Sequence, residues 1–407
     1  MKYLILVGDG MGDFPLAELG NATPLEAAAT PAMDEICRKG ELFRTKTIPE
    51  GYAPGSDVAN LSLMGYDPAK YYTGRAPLEA ASMGIALAPD ETAFRCNLVT
   101  LAFESEKVID MVDFTGGHIS TAEAGELIAA LEEECGGDLF HFFAGVSYRH
   151  LLTFRGDLPG LATVPPHDYI EQNIFRFRNN YLRHHSWADL LSKAEKVLAQ
   201  HPVNRKRLAN SQLPANSIWL WGEGKMPQMP TFRERFNIQG SMISAVDLLK
   251  GIGVNAGLRI IDVPGATGFL DTNYRGKAEA ALEALQSQDF VFVHLEAPDE
   301  SGHQGSIKNK LQAIEDFDSK IVGYIIEALH HKGVDFRVSV TTDHYTPIAL
   351  RTHTIDPVPT LLYDSRHTEN GCGLSFSERS AQSKNIRLLE NGHELINTLL
   401  QQPCNSK

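Results

Sequence analysis

The sequence is poor in cysteine, and the few cysteines present form no recognisable set. They number five, lie far apart, and never occur as a CxxC pair. This excludes a disulfide scaffold and a zinc site built on paired thiolates. We expect free, buried thiols in a reducing compartment at Cys37, Cys96, Cys135, Cys372 and Cys404.

Long apolar runs are also missing. No stretch reaches the ~18 residues that a membrane span needs. The N-terminal MKYLILVGDGMGD has one lysine and a short apolar run, whereas a signal peptide has a longer run and a small-residue cleavage site. The sequence therefore predicts a cytoplasmic protein with no membrane partner.

Positive charge is scarce as well. Lysine and arginine together number 37 against 51 acidic residues, which gives a formal net charge of -14. Because an acidic surface repels a phosphate backbone, we expect no nucleic-acid partner. A small anionic substrate is still compatible with this charge, since a local cluster of metal ions or arginines can override the global field.

Three stretches are apolar without alternation, and each one ends in acidic residues. They are YLILVGDG, DFVFVHLEAPDESGH and FRVSVTTDHYTP. Continuous apolar strands are typical of a parallel sheet that is covered on both faces. They indicate an α/β fold with a doubly wound, mainly parallel sheet.

Helical patterns lie between these strands. Residues 24–39 read as a helix that Pro31 interrupts. Residues 307–333 carry an apolar stripe at helical spacing, and Gly333 is expected to end that helix. The alternation of helices and strands at both ends of the chain agrees with the doubly wound fold.

The middle of the chain is more polar and aromatic, as in HFFAGVSYRHLLTF and RFRNNYLRHHSW. We expect residues 90–239 to form a second α/β domain. It would be inserted into a discontinuous catalytic domain made of residues 1–89 and 240–407, with linkers near 86–91 and 224–232.

An acidic residue lies beyond each of the three predicted strands: Asp9, Asp299 and Asp343. In open α/β sheets, ligands bind outside the carboxyl ends of the strands. Three carboxylates gathered there would repel one another and raise each other's pKa. Bound metal cations are the simplest remedy.

Histidines accompany these acids. Asp299 and His303 are four residues apart, so that both face one side if DESGH forms a helical turn. His344 is adjacent to Asp343, and His353 follows nine residues later. Carboxylates and imidazoles without thiolates suit Mn²⁺ or Zn²⁺ and, less well, Mg²⁺.

A serine stands at a turn between Gly55 and Asp57, in PGSDVANLSLMGYDP. An apolar pattern at helical spacing follows it. From these residues alone, two interpretations of Ser56 stay open. It is either the cap of a helix or a nucleophile.

Several long strings resemble a known family. They are VGDGMGD, PGSDVANLSLMGYDP, YYTGRAPLEAASMGI, AFRCNLVT, NSIWLWGEGKMP, SAVDLLKGIGVNAGL, VPGATGFLDTNY, HLEAPDESGHQG and TTDHYTP. Through them nearly the whole chain resembles the alkaline phosphatase superfamily and, within it, the archaeal-type cofactor-independent phosphoglycerate mutases.

The resemblance implies two divalent metal ions and a phosphoserine intermediate. One ion would be held by Asp299, His303 and His353, and the other by Asp9, Asp343, His344 and the oxygen of Ser56. In these mutases the serine takes the phosphoryl group from one substrate oxygen and returns it to another, while the inserted domain holds the rest of the substrate. A serine at a helix start also has backbone N–H groups near the phosphoryl oxygens, so the cap and nucleophile interpretations are compatible.

A small phosphorylated carboxylic acid needs cationic or hydrogen-bonding partners. Trp219 and Trp221 are expected to pack the core of the insert or its hinge instead. The candidate substrate-binding residues are Arg75, Arg95, Arg149, His150, His167 and Asp168.

Several functions stay open at this point. The leading one is 2,3-bisphosphoglycerate-independent interconversion of 3-phosphoglycerate and 2-phosphoglycerate. Bacterial relatives have also been proposed as homoserine kinases, although no GxxxxGK[ST] loop is present. A phosphomonoesterase is a third alternative, and a binding module would require a broken metal set. A sulfatase is not expected, because the CxPxR-like string of that class is absent.

Overall fold

A computed structural model describes residues 1–161 and 163–401 of the chain. The described chain divides into two compact units. Residues Met1–Tyr72 and those from Gln228 onward form the first, called here the outer unit. Residues Thr73–Pro227 form the second, called the inserted unit.

Strands and helices alternate along the chain. The strands are β1 (Lys2–Gly8), β2 (Glu41–Thr45), β3 (Glu91–Ser105), β4 (Val108–Asp113), β5 (Phe140–Val146), β6 (Arg149–Arg155), β7 (Ser217–Gly224), β8 (Gly240–Ile243), β9 (Arg259–Ile260), β10 (Phe290–Leu295), β11 (Phe336–Thr341), β12 (Val358–Asp364) and β13 (Leu388–Leu389). The helices are α1 (Pro24–Ala27), α2 (Pro31–Lys39), α3 (Ser56–Leu63), α4 (Pro68–Tyr71), α5 (Arg75–Ser82), α6 (Thr121–Cys135), α7 (Phe175–Leu182), α8 (His185–Gln200), α9 (Pro202–Ala209), α10 (Phe232–Phe236), α11 (Asp247–Asn255), α12 (Tyr274–Ser287), α13 (Ala297–His303), α14 (Ile307–Asp316), α15 (Tyr324–His331), α16 (Glu378–Ala381) and α17 (Leu395–Leu400).

The outer unit is built on an eight-stranded sheet in the order β13-β2-β12-β11-β1-β10-β8-β9. Strand β1 lies at its centre and pairs in parallel with β10 and with β11. Strand β12 is antiparallel to both of its neighbours, while the other pairs are parallel. The predicted α/β class with a mainly parallel sheet is confirmed.

Helices cover both faces of this sheet. On one face, Leu4 and Leu6 of β1 belong to a core cluster that includes residues of α2, α12 and α15. On the other face, Phe290 of β10 stacks on Phe232 of α10, with ring centroids 4.9 Å apart. Because both faces are buried, the strands are apolar throughout, as the sequence predicted.

The predicted helix over residues 24–39 is two helices, α1 and α2, and Pro31 begins the second. Proline fits the first helical position because its missing N–H group would have no partner there. Thr30, the residue before α2, makes no side-chain cap. Asp318 replaces that cap, since its carboxylate accepts from the N–H groups of Ala32 (3.2 Å) and Met33 (2.7 Å).

The predicted helix over residues 307–333 is continuous but not uniform. A π-helix, Phe317–Gly323, separates α14 from α15 and carries the Asp318 that caps α2. Gly333 follows the helix with a φ of 62°, as the sequence predicted for a helix end. The π-helix was not predicted, because its contact with α2 is a tertiary one.

The inserted unit holds a five-stranded sheet in which β3 pairs with β4, β6 and β7, always antiparallel. Helices α6 and α8 pack on this sheet. The hydrophobic core between the helices and the sheet contains Trp187 and Phe94, whose ring centroids are 5.3 Å apart. Trp219 and Trp221 are buried in a second cluster of the same unit, as predicted for packing residues.

The inserted unit begins earlier and ends earlier than the predicted insert of residues 90–239. It starts at Thr73 because α5 packs on β3 and β7 of that unit. It ends at Pro227, and α10 belongs to the outer unit. The assignment of catalysis to the outer unit and of substrate binding to the inserted unit stays a prediction.

The cysteine prediction holds only in part. Cys37 and Cys96 are buried free thiols, whereas Cys135 and Cys372 are free but partly exposed. Cys404 lies outside the described residues. Among the residues that the structure describes, no helix has the length and apolar character of a membrane span.

Candidate active site

The carboxyl ends of three neighbouring strands meet at one edge of the sheet in the outer unit. The strands are β11, β1 and β10, all parallel. Asp9 follows β1, Asp343 follows β11, and Asp299 lies in α13, just beyond β10. The parallel order therefore places the three acids at a common edge.

Asp9, Ser56, Asp343 and His344 form one group. Ser56 Oγ lies 3.1 Å from His344 Nε2 and 3.5 Å from Asp9 Oδ2. His344 Nε2 lies 3.5 Å from Asp9 Oδ1 and 3.4 Å from Asp343 Oδ2. The two acids and the histidine are buried, and the serine is partly exposed. The hydroxyl is therefore the part of this group that faces outward.

Asp299, His303 and His353 form a second group beside the first. His303 Nε2 lies 3.2 Å from Asp299 Oδ2, and His353 Nε2 lies 3.5 Å from Asp299 Oδ1. Asp299 and His303 share one side of α13, so the predicted helical turn is present. The rings of His344 and His353 are 4.0 Å apart between centroids. All seven predicted metal-site residues therefore lie in one cluster, and their roles stay predictions.

Polar neighbours hold the carboxylates in place. Asp343 Oδ1 accepts from the N–H of Gly10 (3.1 Å), and its Oδ2 accepts from the side-chain amide of Asn60 (2.8 Å). The hydroxyl of Thr346 donates to Asp299 Oδ1. These contacts orient the two carboxylates within the cluster.

Two histidines have one ring nitrogen close to a backbone carbonyl. His303 Nδ1 lies 2.9 Å from the carbonyl oxygen of Arg351, and His353 Nδ1 lies 3.4 Å from that of Pro54. An Nδ1–H that donates to a carbonyl leaves the Nε2 lone pair free for a metal ion. Both Nε2 atoms face the cluster, where they are 2.9 Å apart.

Gly10 is required by close approach at the centre of the site. Its φ is 58°, in the left-handed region. A Cβ atom there would lie 2.5 Å from Asp299 Oδ1 and 2.5 Å from Thr346 Oγ1. Any side chain at this position would displace Asp299 of α13 or Thr346.

Helix α3 begins at Ser56, and its N-cap residue is Gly55. The prediction that the Ser56 side chain caps this helix is therefore wrong, because the cap position is taken by a residue without a side chain. Ser56 Oγ faces Asp9 and His344 instead. The predicted apolar pattern after it is confirmed, with Val58 buried.

The acids and histidines of the cluster have pKa values that are shifted in different directions. Burial, and then the carboxylates of Asp343 and Asp299, raise the pKa of Asp9 well above its usual range. Burial also raises the pKa of Asp299, but hydrogen bonds from its histidines outweigh this and hold it well below the usual range. The hydrogen bond to Asp299 raises the pKa of His303 to about 9. Burial lowers the pKa of His344.

The residues of the cluster fit divalent metal ions. Within the described residues, the buried atoms Asp9 Oδ1 and His294 Nε2 have no hydrogen-bond partner, and such atoms are costly unless something else satisfies them. Two sets of donor atoms each lie within 4.8 Å of one another: Asp299 with His344 and His353, and Asp9 with His294 and Asp343. Oxygen and nitrogen donors without sulfur suit Zn²⁺ and Mn²⁺.

The sequence reasoning did not identify three residues of this site: Asn60, His294 and Thr346. Asn60 and Thr346 touch the acids, but nothing in their sequence context marks them. His294 had a visible signal, since it is a histidine inside the otherwise apolar strand FVFVHL.

Four of the predicted substrate-binding residues lie together in the inserted unit and are called here the arginine cluster: Arg75, Arg95, Arg149 and His167. The guanidinium of Arg95 stacks over Trp221 at 4.3 Å and donates to Glu79 at 2.9 Å. Burial lowers the pKa of Arg95 to about 10, and the positive charges of Arg75 and Arg149 add to this effect.

His167 completes this arginine cluster. Its ring lies against that of Trp221, with 5.8 Å between centroids. Burial lowers its pKa, and so do the charges of Arg95 and Arg75. Arg75 and Arg95 both lie against Glu79, and the charges of Arg75 and Arg149 act on Arg95.

The other two predicted substrate residues differ from this cluster. His150 is buried, and its Nδ1 accepts from the N–H of Gly145 at 3.0 Å. Burial lowers its pKa to about 4, so the ring is neutral. Asp168 is exposed and lies 3.7 Å from His167 Nε2.

A scan against protein families matches residues 37–204 to a model described as 2,3-bisphosphoglycerate-independent phosphoglycerate mutase. A curated protein named 2,3-bisphosphoglycerate-independent phosphoglycerate mutase, from Methanosarcina barkeri, is 49% identical over 403 residues. The match covers 98% of this chain and 100% of the relative.

Solved structures agree with this match. A protein from Pyrococcus horikoshii has a TM-score of 0.81 at 28% identity, covering 98% of this chain and 96% of the other. The cofactor-independent phosphoglycerate mutase from Thermoplasma acidophilum has a TM-score of 0.65 at 28% identity, covering 98% of this chain and 99% of the other.

Proposed function

The chain belongs to the family of 2,3-bisphosphoglycerate-independent phosphoglycerate mutases, and we propose that it interconverts 3-phosphoglycerate and 2-phosphoglycerate through a phosphoserine at Ser56. One observation carries the proposal. The Ser56 hydroxyl, partly exposed, lies 3.1 Å from His344 Nε2 and 3.5 Å from Asp9 Oδ2 at the edge of a buried cluster of acids and histidines. We place this activity in the cytoplasm.

Two divalent metal ions, Mn²⁺ or Zn²⁺ and less suitably Mg²⁺, belong to this proposal. One would be held by Asp299, His303 and His353, and the other by Asp9, Ser56, Asp343 and His344. When bound, such ions lower the pKa of a coordinated hydroxyl and offset the charge that develops on transferred phosphoryl oxygens.

The chain's own part in the reaction is a double displacement at Ser56. Oγ attacks the phosphorus, the bond from phosphorus to the substrate oxygen breaks, Ser56 loses its proton, and the released glycerate oxygen gains one. The other hydroxyl of the same glycerate then attacks the phosphorus and loses its proton, the bond from phosphorus to Oγ breaks, and Ser56 regains a proton. Ser56 is the first residue of α3, so the positive end of the helix dipole favours the phosphoryl oxygens.

We assign the binding of the substrate anion to the arginine cluster of the inserted unit. Arg75 and Arg95 lie against Glu79, and Arg149 is near enough for its charge to lower the pKa of Arg95. Guanidinium groups suit carboxylates and phosphates because they bind them with paired, charge-assisted hydrogen bonds. A phosphorylated carboxylic acid has both kinds of group.

The proposal is tested with Ser56→Ala and a matched control, Ser62→Ala, which lies in the same helix and has a buried hydroxyl without a partner among the described residues. With Mn²⁺ and no added bisphosphate, we expect Ser56→Ala to lose isomerisation by at least ~10⁴-fold while the control keeps it. Chelation should abolish activity, and Mn²⁺ or Zn²⁺ should restore it.

The same assay separates the alternatives. Phosphorylation of homoserine that requires ATP would identify a kinase, and free phosphate as the main product would identify a phosphomonoesterase. Turnover retained by Ser56→Ala, or activity indifferent to exhaustive chelation, would contradict the proposed mechanism.

A further inference from the structure

His294 lies near the carboxyl end of β10, in a strand whose other five residues are apolar. Its side chain is fully buried. Buried histidines commonly have both ring nitrogens paired, because an unpaired buried nitrogen costs free energy. His294 departs from this pattern.

The Nε2 atom of His294 faces the cluster at the edge of the sheet. It lies 3.0 Å from Asp9 Oδ2, yet within the described residues it makes no hydrogen bond. The contact is therefore short, but its geometry is not that of a hydrogen bond from His294 Nε2 to the Asp9 carboxylate. The nearby Asp9 Oδ1 also lacks a hydrogen-bond partner in the same part of the chain.

The rest of the histidine is anchored. Its Nδ1 lies 3.5 Å from Ser244 Oγ, and its backbone carbonyl accepts from Lys277 Nζ at 3.1 Å. Ser244 Oγ is itself fixed, because it accepts from the N–H of Val246 at 3.0 Å. With the proton on Nδ1, donated toward the oxygen of Ser244, the Nε2 lone pair is available for a metal ion, which is the usual arrangement of a metal-binding histidine.

We propose that His294 Nε2 is a further ligand of the metal ion that Asp9 and Asp343 hold, an inference that rests on the proposed function. One donor atom from each of these three residues lies within 4.8 Å of the other two. A single cation between them satisfies both orphaned atoms at once. His294 would thereby be an additional ligand of this ion, beside the four that the family resemblance implies: Asp9, Asp343, His344 and Ser56.

The test uses His294→Asn in the full chain. The asparagine amide keeps a polar atom near the Nδ1 position, facing Ser244, but has no atom at the Nε2 position. Zn²⁺ binding is measured by competition with a chromophoric chelator, and metal content by mass spectrometry. We expect two ions per wild-type chain, and in the variant one of them to bind at least about 10–100-fold more weakly.

Two companions keep the result interpretable. His294→Gln has an amide near the Nε2 position and should recover part of the lost affinity. His330→Asn, an exposed histidine 3.2 Å from the hydroxyl of Tyr363, is the matched control and should bind both ions as the wild type does. Thermal unfolding of each variant without metal detects any general loss of fold.

The outcome that overturns the proposal is also specific. If His294→Asn folds and binds both Zn²⁺ ions within twofold of the wild type, His294 is not a ligand. Anomalous diffraction of zinc-loaded crystals gives the same decision, since a ligand nitrogen lies about 2.0–2.1 Å from zinc. Failure of the mutase assay would leave this result intact, because metal binding is measured without substrate.

Discussion

Replacing Lys310 by methionine should destabilise the outer unit strongly. Lys310 lies in α14 with no exposed side-chain surface, and its Nζ donates to Asp13 Oδ2 at 2.8 Å. It also donates to the carbonyl oxygens of Gly12 (3.1 Å) and Thr346 (2.9 Å). The amine therefore joins the loop that carries Asp9 to the loop after β11 that carries Asp343 and His344.

The magnitude follows from what the variant leaves behind. Methionine fills most of the lysine volume, so the cavity contribution is small. Asp13 keeps hydrogen bonds from the N–H groups of Phe14 (2.8 Å) and Ile348 (3.1 Å) but loses its cation. Removing one partner of a buried ion pair costs about 3–5 kcal/mol. We expect the free energy of unfolding to fall by about 4 kcal/mol, because the two carbonyls also lose a donor.

Urea unfolding of the full chain measures the free energy of unfolding of the Lys310→Met variant. Lys308→Met is the control, since Lys308 is an exposed lysine of the same helix. The double variant Lys310→Met with Asp13→Asn should be less destabilised than the sum of its two single variants, because no charge is then left unpaired. A Lys310→Met variant within ~1 kcal/mol of the Lys308→Met variant would refute the reasoning.

Two further predictions concern the inserted unit. Burial holds the pKa of His150 at about 4, below its unfolded value near 6.5. Its contribution to stability is therefore complete above pH ~6.5 and is lost as pH falls toward 4. Between pH 7 and pH 5 this amounts to about 2 kcal/mol, and His150→Asn should reduce the pH dependence of urea unfolding by that amount. An equal slope in both proteins would contradict the assignment. Arg149→Ala should raise KM for 3-phosphoglycerate about 10–100-fold with unchanged Zn²⁺ content, since it removes one charge-assisted contact. Arg155→Ala, at the other end of β6, is the control, and an equal KM effect in both variants would count against the arginine cluster as the substrate site.

The sheet and the three acids were predictable because both depend on local patterns. A strand that is apolar throughout must be buried on both faces, and parallel strands bring their carboxyl ends to one edge. Asp9, Asp299 and Asp343 therefore had to lie near one another once the strands were recognised. The spacing of Asp299 and His303 added the helical turn without any knowledge of tertiary contacts.

Features that depend on distant partners could not be predicted in this way. The π-helix carries Asp318 to the start of α2, some 285 residues away along the chain. Lys310 occupies a position of α14 that could have been exposed, and only its acceptors beyond β1 and β11 explain its burial. The early start of the inserted unit reflects packing of α5 on strands that follow it.

The contrast between Asp13 and Asp9, four residues apart, shows how a structural carboxylate differs from a proposed metal ligand in this fold. Asp13 is fully buried and has its own cation, Lys310, with a 2.8 Å contact. Asp9 is equally buried, and burial, followed by the neighbouring carboxylates of Asp343 and Asp299, raises its pKa. Its close neighbours among the described residues include His294, His344 and Ser56. A buried carboxylate without a cation is costly, and the contacts of Asp9 among the described residues include no lysine or arginine, which supports the proposed metal ion. The same reasoning applies to Asp343, which shares the histidine His344 with Asp9. The proposed need for divalent ions therefore follows both from the position of the acids and from the pairing of Lys310 with Asp13.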